Sequence, residues 1–119
     1  VAPLAGVLFL RDQRSGVPDV RDATDPAERE KEKRQEPCQV WLHNDDYTPA
    51  ESVVVILREA FGLGWWKATL TMLKAHATGS ALVGVFPEDE ARRRVDSAHA
   101  RAREQGWPLR LSVVPGETR

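Results

Sequence analysis

From position 38 the chain alternates, with Cys38, Val40 and Leu42 on one side and Gln39, Trp41 and His43 on the other, the period-two pattern of a half-buried strand. A polar loop, Asn44-Asp45-Asp46-Tyr47, follows. Thr48-Pro49-Ala50-Glu51 then supplies an N-cap, a proline at the first helical position and a glutamate at N3. Val53, Ile56, Leu57 and Ala60 recur at i, i+3, i+4 and i+7, which predicts a helix with that face buried, stopped by Gly62 and Gly64. A second helix is predicted over 65–77 and ends at Gly79, with Leu70, Leu73 and Ala77 inward and Met72 and His76 sharing an adjoining face. The apolar run 81–86 has strand length. Pro87 opens a third helix whose first turn carries Glu88, Asp89 and Glu90, and whose inward stripe is Ala91, Val95, Ala98 and Ala102. Gly106 closes it, and 109–114 makes a last strand. The order β-α-α-β-α-β predicts an α+β fold: a small three-stranded antiparallel sheet packed against three helices.

Ahead of position 38 the pattern is lost. Residues 11–37 are dominated by Asp, Glu, Arg and Lys, punctuated by Gly16, Pro18 and Pro26, so residues 1–37 read as a flexible, disordered or transiently helical extension, 38–115 as the folded domain and 116–119 as a polar tail. Within the extension, 25–36 has the charge alternation of a solvated helix without an apolar face to dock it. The length of 119 residues and hydrophobic share of 41% suit one small core plus a tail. Seventeen basic against eighteen acidic residues leave a net charge of −1, which supplies no positive field for nucleic acid. VAPLAGVLFL, residues 1–10, lacks a basic leader and is too short to span a bilayer. A lone cysteine, Cys38, makes no internal disulfide. A cytoplasmic setting with no membrane partner is the expectation.

Three readings of the polar residues compete. An enzyme or metal site would draw on His43, Asp45, Asp46, His76 and His99, but the chain has neither an HExxH pair nor a glycine-rich phosphate loop. Cys38, on the inward strand face, reads as a small core residue rather than a nucleophile. No catalytic residue, metal or cofactor is expected. On the second reading Asn44, Asp45 and Asp46 only turn the chain into the helix, because Asx side chains bond nearby backbone amides, and Met72 and His76 are core filler and boundary residue. On the third, Asn44 and Asp45 face His76 across a gap beside an apolar hole lined by Met72, an arrangement that would surround a primary ammonium with acceptors. Trp66 and Leu70, at i and i+4, read first as ordinary core, and otherwise as an exposed stripe that receives 4–10 or a partner.

The runs His43-Asn44-Asp45-Asp46-Tyr47-Thr48-Pro49, Met72-Leu73-Lys74-Ala75-His76-Ala77-Thr78-Gly79, Val83-Gly84-Val85-Phe86 and Trp107-Pro108-Leu109 have the order and spacing found in ClpS adaptors, and residues 38–115 resemble that family throughout. The resemblance implies a non-catalytic, monomeric adaptor that binds N-degrons beginning with Leu, Phe, Tyr or Trp and hands them to the N-terminal domain of a ClpA-type unfoldase. By position it implies that Asn44, Asp45 and His76 contact the α-amino group and that Thr48, Ala50, Val53, Met72, Ala75 and Leu109 line the side-chain pocket. Asp46 would shape the loop, and Asp89 and Arg94 would dock the unfoldase. The sequence departs from the family at Ala50, usually a methionine that limits the pocket, at Ser52, usually aromatic, and at Pro87, a usual capping position. Its extension is also long for the family.

Overall fold

The computed structural model describes residues 25–117. Their elements are α1 (Pro26–Arg34), β1 (Pro37–His43), α2 (Ala50–Phe61), α3 (Trp65–Thr78), β2 (Ser80–Pro87), α4 (Glu88–Glu104) and β3 (Arg110–Pro115). The chain divides into two units between Glu32 and Lys33. Helix α1 is the solvated helix foreseen over 25–36: it buries no residue, and its first turn is fastened by Asp25, whose Oδ1 accepts from the Ala27 amide at 3.2 Å. The flexibility expected of 1–24, and the docking expected of 4–10, lie outside the described residues.

In the second unit the three strands form one antiparallel sheet in the order β2-β1-β3. Cys38, Val40 and Leu42 of β1 are buried, as their alternation requires. They lie between Ala81 and Val83 of β2 and Leu111 of β3 in one core with Leu57, Val53 and Val95. Helix α2 packs on α3 and α4, α3 touches β2 and β1, and α4 reaches all three strands. The second face of β1 carries Trp41, whose indole N–H donates to Gln39 Oε1 at 2.8 Å, and His43, whose Nε2 shares a 2.7 Å hydrogen bond with Ser112 Oγ. A register shift between Val40 and Trp41 places a bulge in the β1–β2 pair. Next to it Gly84 leaves room for the Phe86 ring, which would lie 3.1 Å from a Cβ there. The buried positions of α4, Ala91, Val95, Ala98 and Ala102, are those its period marks. Cys38 is buried core, and burial first, then Glu88, holds its thiol above the ordinary value.

Two expectations are corrected. Helix α3 buries Ala68, Thr71 and Ala75, whereas Leu70, Leu73 and Ala77, expected inward, are exposed, and so is Trp66. At about 100° per residue the two sets occupy nearly opposite sides of the helix. Small residues let α3 approach its neighbours closely, and the Thr71 hydroxyl is satisfied within the helix by Lys67 O at 2.8 Å. Size, not hydrophobicity, selected the inward face. The second correction is at α2, where Pro49 occupies the N-cap with no side-chain bond. Thr48 stands one position ahead of that cap, and its Oγ1 donates to Asp45 Oδ2 at 3.0 Å. The first turn is closed by the Ser52 and Val53 amides on Pro49 O.

Strand β3 is secured from α4 by a bond on its free side, the Leu111 amide donating to His99 Nε2 at 3.2 Å. That nitrogen must carry a lone pair. Burial first, then Arg103, lowers the His99 pKa from 6.5, with Asp96 acting in the opposite sense. A depressed histidine pKa favours the fold fully above the unfolded value and less as pH falls toward the folded one. The melting temperature is therefore expected to drop below pH 6.5, and in His99→Gln, whose amide oxygen can still accept the Leu111 proton, this part of the drop should vanish in a pH series of thermal melts. Parallel pH profiles for the two proteins would count against the role assigned to His99.

Candidate functional site

The loop between β1 and α2 is shaped by one side chain. Asp45 Oδ1 accepts from the Tyr47 amide at 2.8 Å and the Thr48 amide at 2.7 Å, and its Oδ2 holds Thr48 Oγ1. This is the Asx turn chemistry that the bland reading foresaw, but it falls to Asp45. Asp46, expected to shape the loop, is exposed and makes no hydrogen bond within the described residues. The loop is fixed at its start by the Asn44 amide on Gly79 O at 2.9 Å, which brings the end of β1 against the end of α3. Gly79 can sit there because its φ of 99° is open to glycine alone among common residues.

That junction makes a cavity of about 210 Å³ lined by Leu42, His43, Asn44, Asp45, Asp46, Thr48, Ala50, Val53, Met72, Ala75, His76 and Leu109. All nine residues expected at the α-amino group and the side-chain pocket are in this lining. Leu42 and His43 were not among them; both follow from being the last residues of β1, where alternation turns Leu42 inward. The walls are Val53, Met72, Ala75 and Leu109, of which Val53, Ala75 and Leu109 are buried. At the mouth stand Asn44 and His76, whose side chains have no hydrogen-bond partner within the described residues, beside the pinned Asp45 carboxylate. A cleft of this size, apolar along Val53, Met72, Ala75 and Leu109 and polar where Asn44, His76 and the Asp45 carboxylate face it, can take an apolar side chain next to a hydrogen-bond donor of positive charge.

The two residues expected to dock a partner differ in their freedom. Asp89 is exposed on the first turn of α4. Arg94 is committed to the fold: its Nε donates to Glu90 Oε2 at 2.7 Å, one terminal nitrogen donates to Ala60 O at 3.1 Å, and its guanidinium lies 5.4 Å from the centre of the Phe86 ring. Ala60 O is among the last carbonyls of α2, so the cation caps a negative helix end. Among the described residues no group of three or more His, Cys, Asp or Glu could hold a metal, and none of their helices is long and apolar enough to cross a membrane.

The family profile described as ATP-dependent Clp protease adaptor protein ClpS matches residues 33–112, well over half of the chain. The ATP-dependent Clp protease adapter protein ClpS of Desulforapulum autotrophicum is 39% identical over 96 residues, covering 81% of this chain and 92% of the relative. The protein of the same name from Myxococcus xanthus is 37% identical over 99 residues, covering 83% and 92%. Among solved structures, that of Agrobacterium tumefaciens ClpS2 bound to L-phenylalaninamide superimposes with a TM-score of 0.66 at 36% identity, over 70% of this chain and all of that one. With the cavity loop, the cavity lining and the helices α2 to α4 falling inside the matched span, the chain belongs to the ClpS family of Clp protease adaptors.

Proposed function

We propose that this chain is a cytoplasmic adaptor that captures proteins by an unblocked N-terminal residue bearing Leu, Phe, Tyr or Trp, and delivers them to a ClpA-type unfoldase. The observation that carries the reading is the cavity itself, a cleft with apolar walls on one side and, on the other, two unpartnered polar side chains and a fixed carboxylate. Asn44 Oδ1, Asp45 and His76 accept from the ammonium; Thr48, Ala50, Val53, Met72, Ala75 and Leu109 surround the side chain; Asp46 adds a second negative charge at the rim. Such an adaptor carries no reaction of its own, and the binding is reversible. That Agrobacterium ClpS2 was solved with L-phenylalaninamide, a free α-amine on an aromatic residue, supports the same ligand chemistry here. Delivery would use Asp89 and Arg94 on α4, Asp89 exposed and Arg94 a third exposed while held by Glu90 and Ala60 O.

A peptide series varied only at its first residue tests recognition. Leu-, Phe-, Tyr- and Trp-initiated peptides are expected to bind near micromolar affinity, a few charge-assisted bonds of about 1.5–3 kcal/mol each being partly offset by association costs. Gly- and Glu-initiated peptides should bind at least ~30-fold more weakly, having little apolar surface to bury. Equal binding across the series would exclude a pocket for the first side chain. A second reading, a binder of N-termini that serves another protease or none, shares the cavity and differs only in whether an unfoldase co-purifies.

A further inference from the structure

A second groove, of about 320 Å³, lies between α2 and the end of α4. Val55, Ile56 and Trp107 supply its apolar lining, and Glu51, Glu59 and Glu104 its negative charge. Trp107 is fixed by its backbone amide, which donates to Ala102 O at 3.0 Å, and it packs in part on the core. Arg101, the one cation among the lining residues, is already engaged: one terminal nitrogen donates to Glu59 Oε1 at 2.7 Å and Nε to Ser97 Oγ at 3.3 Å. Glu51 and Glu104 are exposed and have no ion pair within the described residues. Two uncompensated carboxylates beside an indole suit a guanidinium or an ammonium group, because carboxylates accept charge-assisted bonds and an indole is the strongest aromatic partner of a cation. Ser52 also lines the groove, at a position where the family resemblance implies an aromatic residue, and its side chain is far smaller than a ring.

The groove adjoins the cavity that takes the first residue. Ala50 lines the cavity and Glu51 the groove, and Leu109 lines the cavity and Trp107 the groove. Consecutive Cα atoms are about 3.8 Å apart and an extended chain advances about 3.3–3.6 Å per residue, so a chain whose first residue fills the cavity and which leaves it over Ala50 brings its third or fourth residue to the groove. We propose that this groove is a second subsite for the captured chain, taking an arginine or lysine at the third or fourth position between Glu51, Glu104 and Trp107. The inference rests on the cavity being the site of N-terminal capture and adds a charge preference to it. The carboxylates are exposed, so the gain is modest: an exposed ion pair and a cation on an indole together strengthen binding about fivefold. A glutamate in the same place meets Glu51 and Glu104 and weakens binding about threefold.

Fluorescence anisotropy with Phe-initiated peptides of serine and glycine tests this, one position at a time being changed to Arg, Glu or norleucine. Arg at the third or fourth position is expected to bind about fivefold more tightly than Ser there, and Arg at the eighth to bind as Ser does. The advantage should shrink between ~0.05 M and ~0.5 M sodium chloride. It should vanish in Glu51→Gln/Glu104→Gln, and also in Ser52→Phe, whose ring occupies the groove, with far-UV circular dichroism reporting that each variant is folded. If Ser52→Phe fails to fold, the charge variant decides alone. An advantage equal at every position, one retained by the folded charge variant, or one shared by norleucine and unchanged by salt overturns the proposal. First-residue dependence with Arg and Ser within about 1.5-fold at the third and fourth positions removes the second subsite and leaves N-terminal capture standing. Loss of first-residue dependence removes both.

Discussion

Acetylating the α-amino group of a Leu-initiated peptide is expected to weaken its binding by about 100- to 1,000-fold, roughly 3–4 kcal/mol. Acetylation removes the positive charge and two of the three donors, and leaves Asn44, His76 and the Asp45 carboxylate facing a neutral amide at the cavity mouth. Each charge-assisted bond lost costs about 1.5–3 kcal/mol, and a carboxylate stripped of water without a replacement costs more than it gained. Changing the ligand is a cleaner test than changing Asp45. That carboxylate already receives the Tyr47 amide, the Thr48 amide and the Thr48 hydroxyl, so its removal would release the loop along with the acceptor. Fluorescence anisotropy with matched free and acetylated peptides reads the effect directly. An acetylated peptide that binds within about threefold of the free one would place the ammonium elsewhere.

Ala50→Met is expected to raise the preference for Leu over Ile by about tenfold. Ala50 lines the cavity in the first turn of α2, at the position where the family resemblance implies a methionine, and its methyl is smaller than a thioether side chain. With alanine there, a ligand branched at Cβ meets no obstruction, so Ile and Val are handicapped little. The same open wall makes fewer van der Waals contacts with every ligand, and Leu and Phe should tighten when methionine supplies them. A methylene-scale misfit in an apolar pocket is worth about 1–3 kcal/mol, enough for the change to be read in one competition experiment with Leu, Ile, Phe and Val peptides. An unaltered Leu-to-Ile ratio would remove Ala50 from the residues that set selectivity.

How far the fold was legible can be judged from particular helices. The stripe Ala91, Val95, Ala98 and Ala102 predicted the buried face of α4 because its other face is charged, leaving one place for the core to be. In α3 both faces are uncharged over much of their length, and Leu70 and Leu73 drew the inward assignment by hydrophobicity although Ala68 and Ala75 took the core by size. Periodicity registers polarity, whereas close packing selects volume. The capping motif at Thr48 is complete in sequence, but the helix begins one residue later, with Pro49 O taking the first amides and Thr48 bound into the loop by Asp45. The candidate site was legible chiefly through the family resemblance. From spacing alone, Asn44 and Asp45 were turn residues, and Asp45 is indeed one; what spacing could not supply was that Gly79 O would fasten Asn44 against the end of α3 and so bring His76 to the same cavity. The commitment of Arg94 to Glu90 and Ala60 depends likewise on a contact 34 residues distant in sequence.

Prolines close one end of the sheet. Pro37 of β1 stands opposite Pro87 of β2, and Pro115 of β3 stands opposite Cys38, so each strand has at that end a residue with no amide proton to offer. Pro37 O is taken by the Gly116 amide at 2.9 Å, and along β3 the outward Leu111 amide is occupied by His99. A foreign strand adding along β2 or β3 finds fewer donors at this end with which to begin pairing. The opposite end, where His43, Ser80 and Arg110 meet, has no proline and leads into the cavity loop. A protein whose proposed work is to hold unfolding-bound chains beside one end of its sheet thus offers them, at the other end, strand termini with few amide donors to pair with.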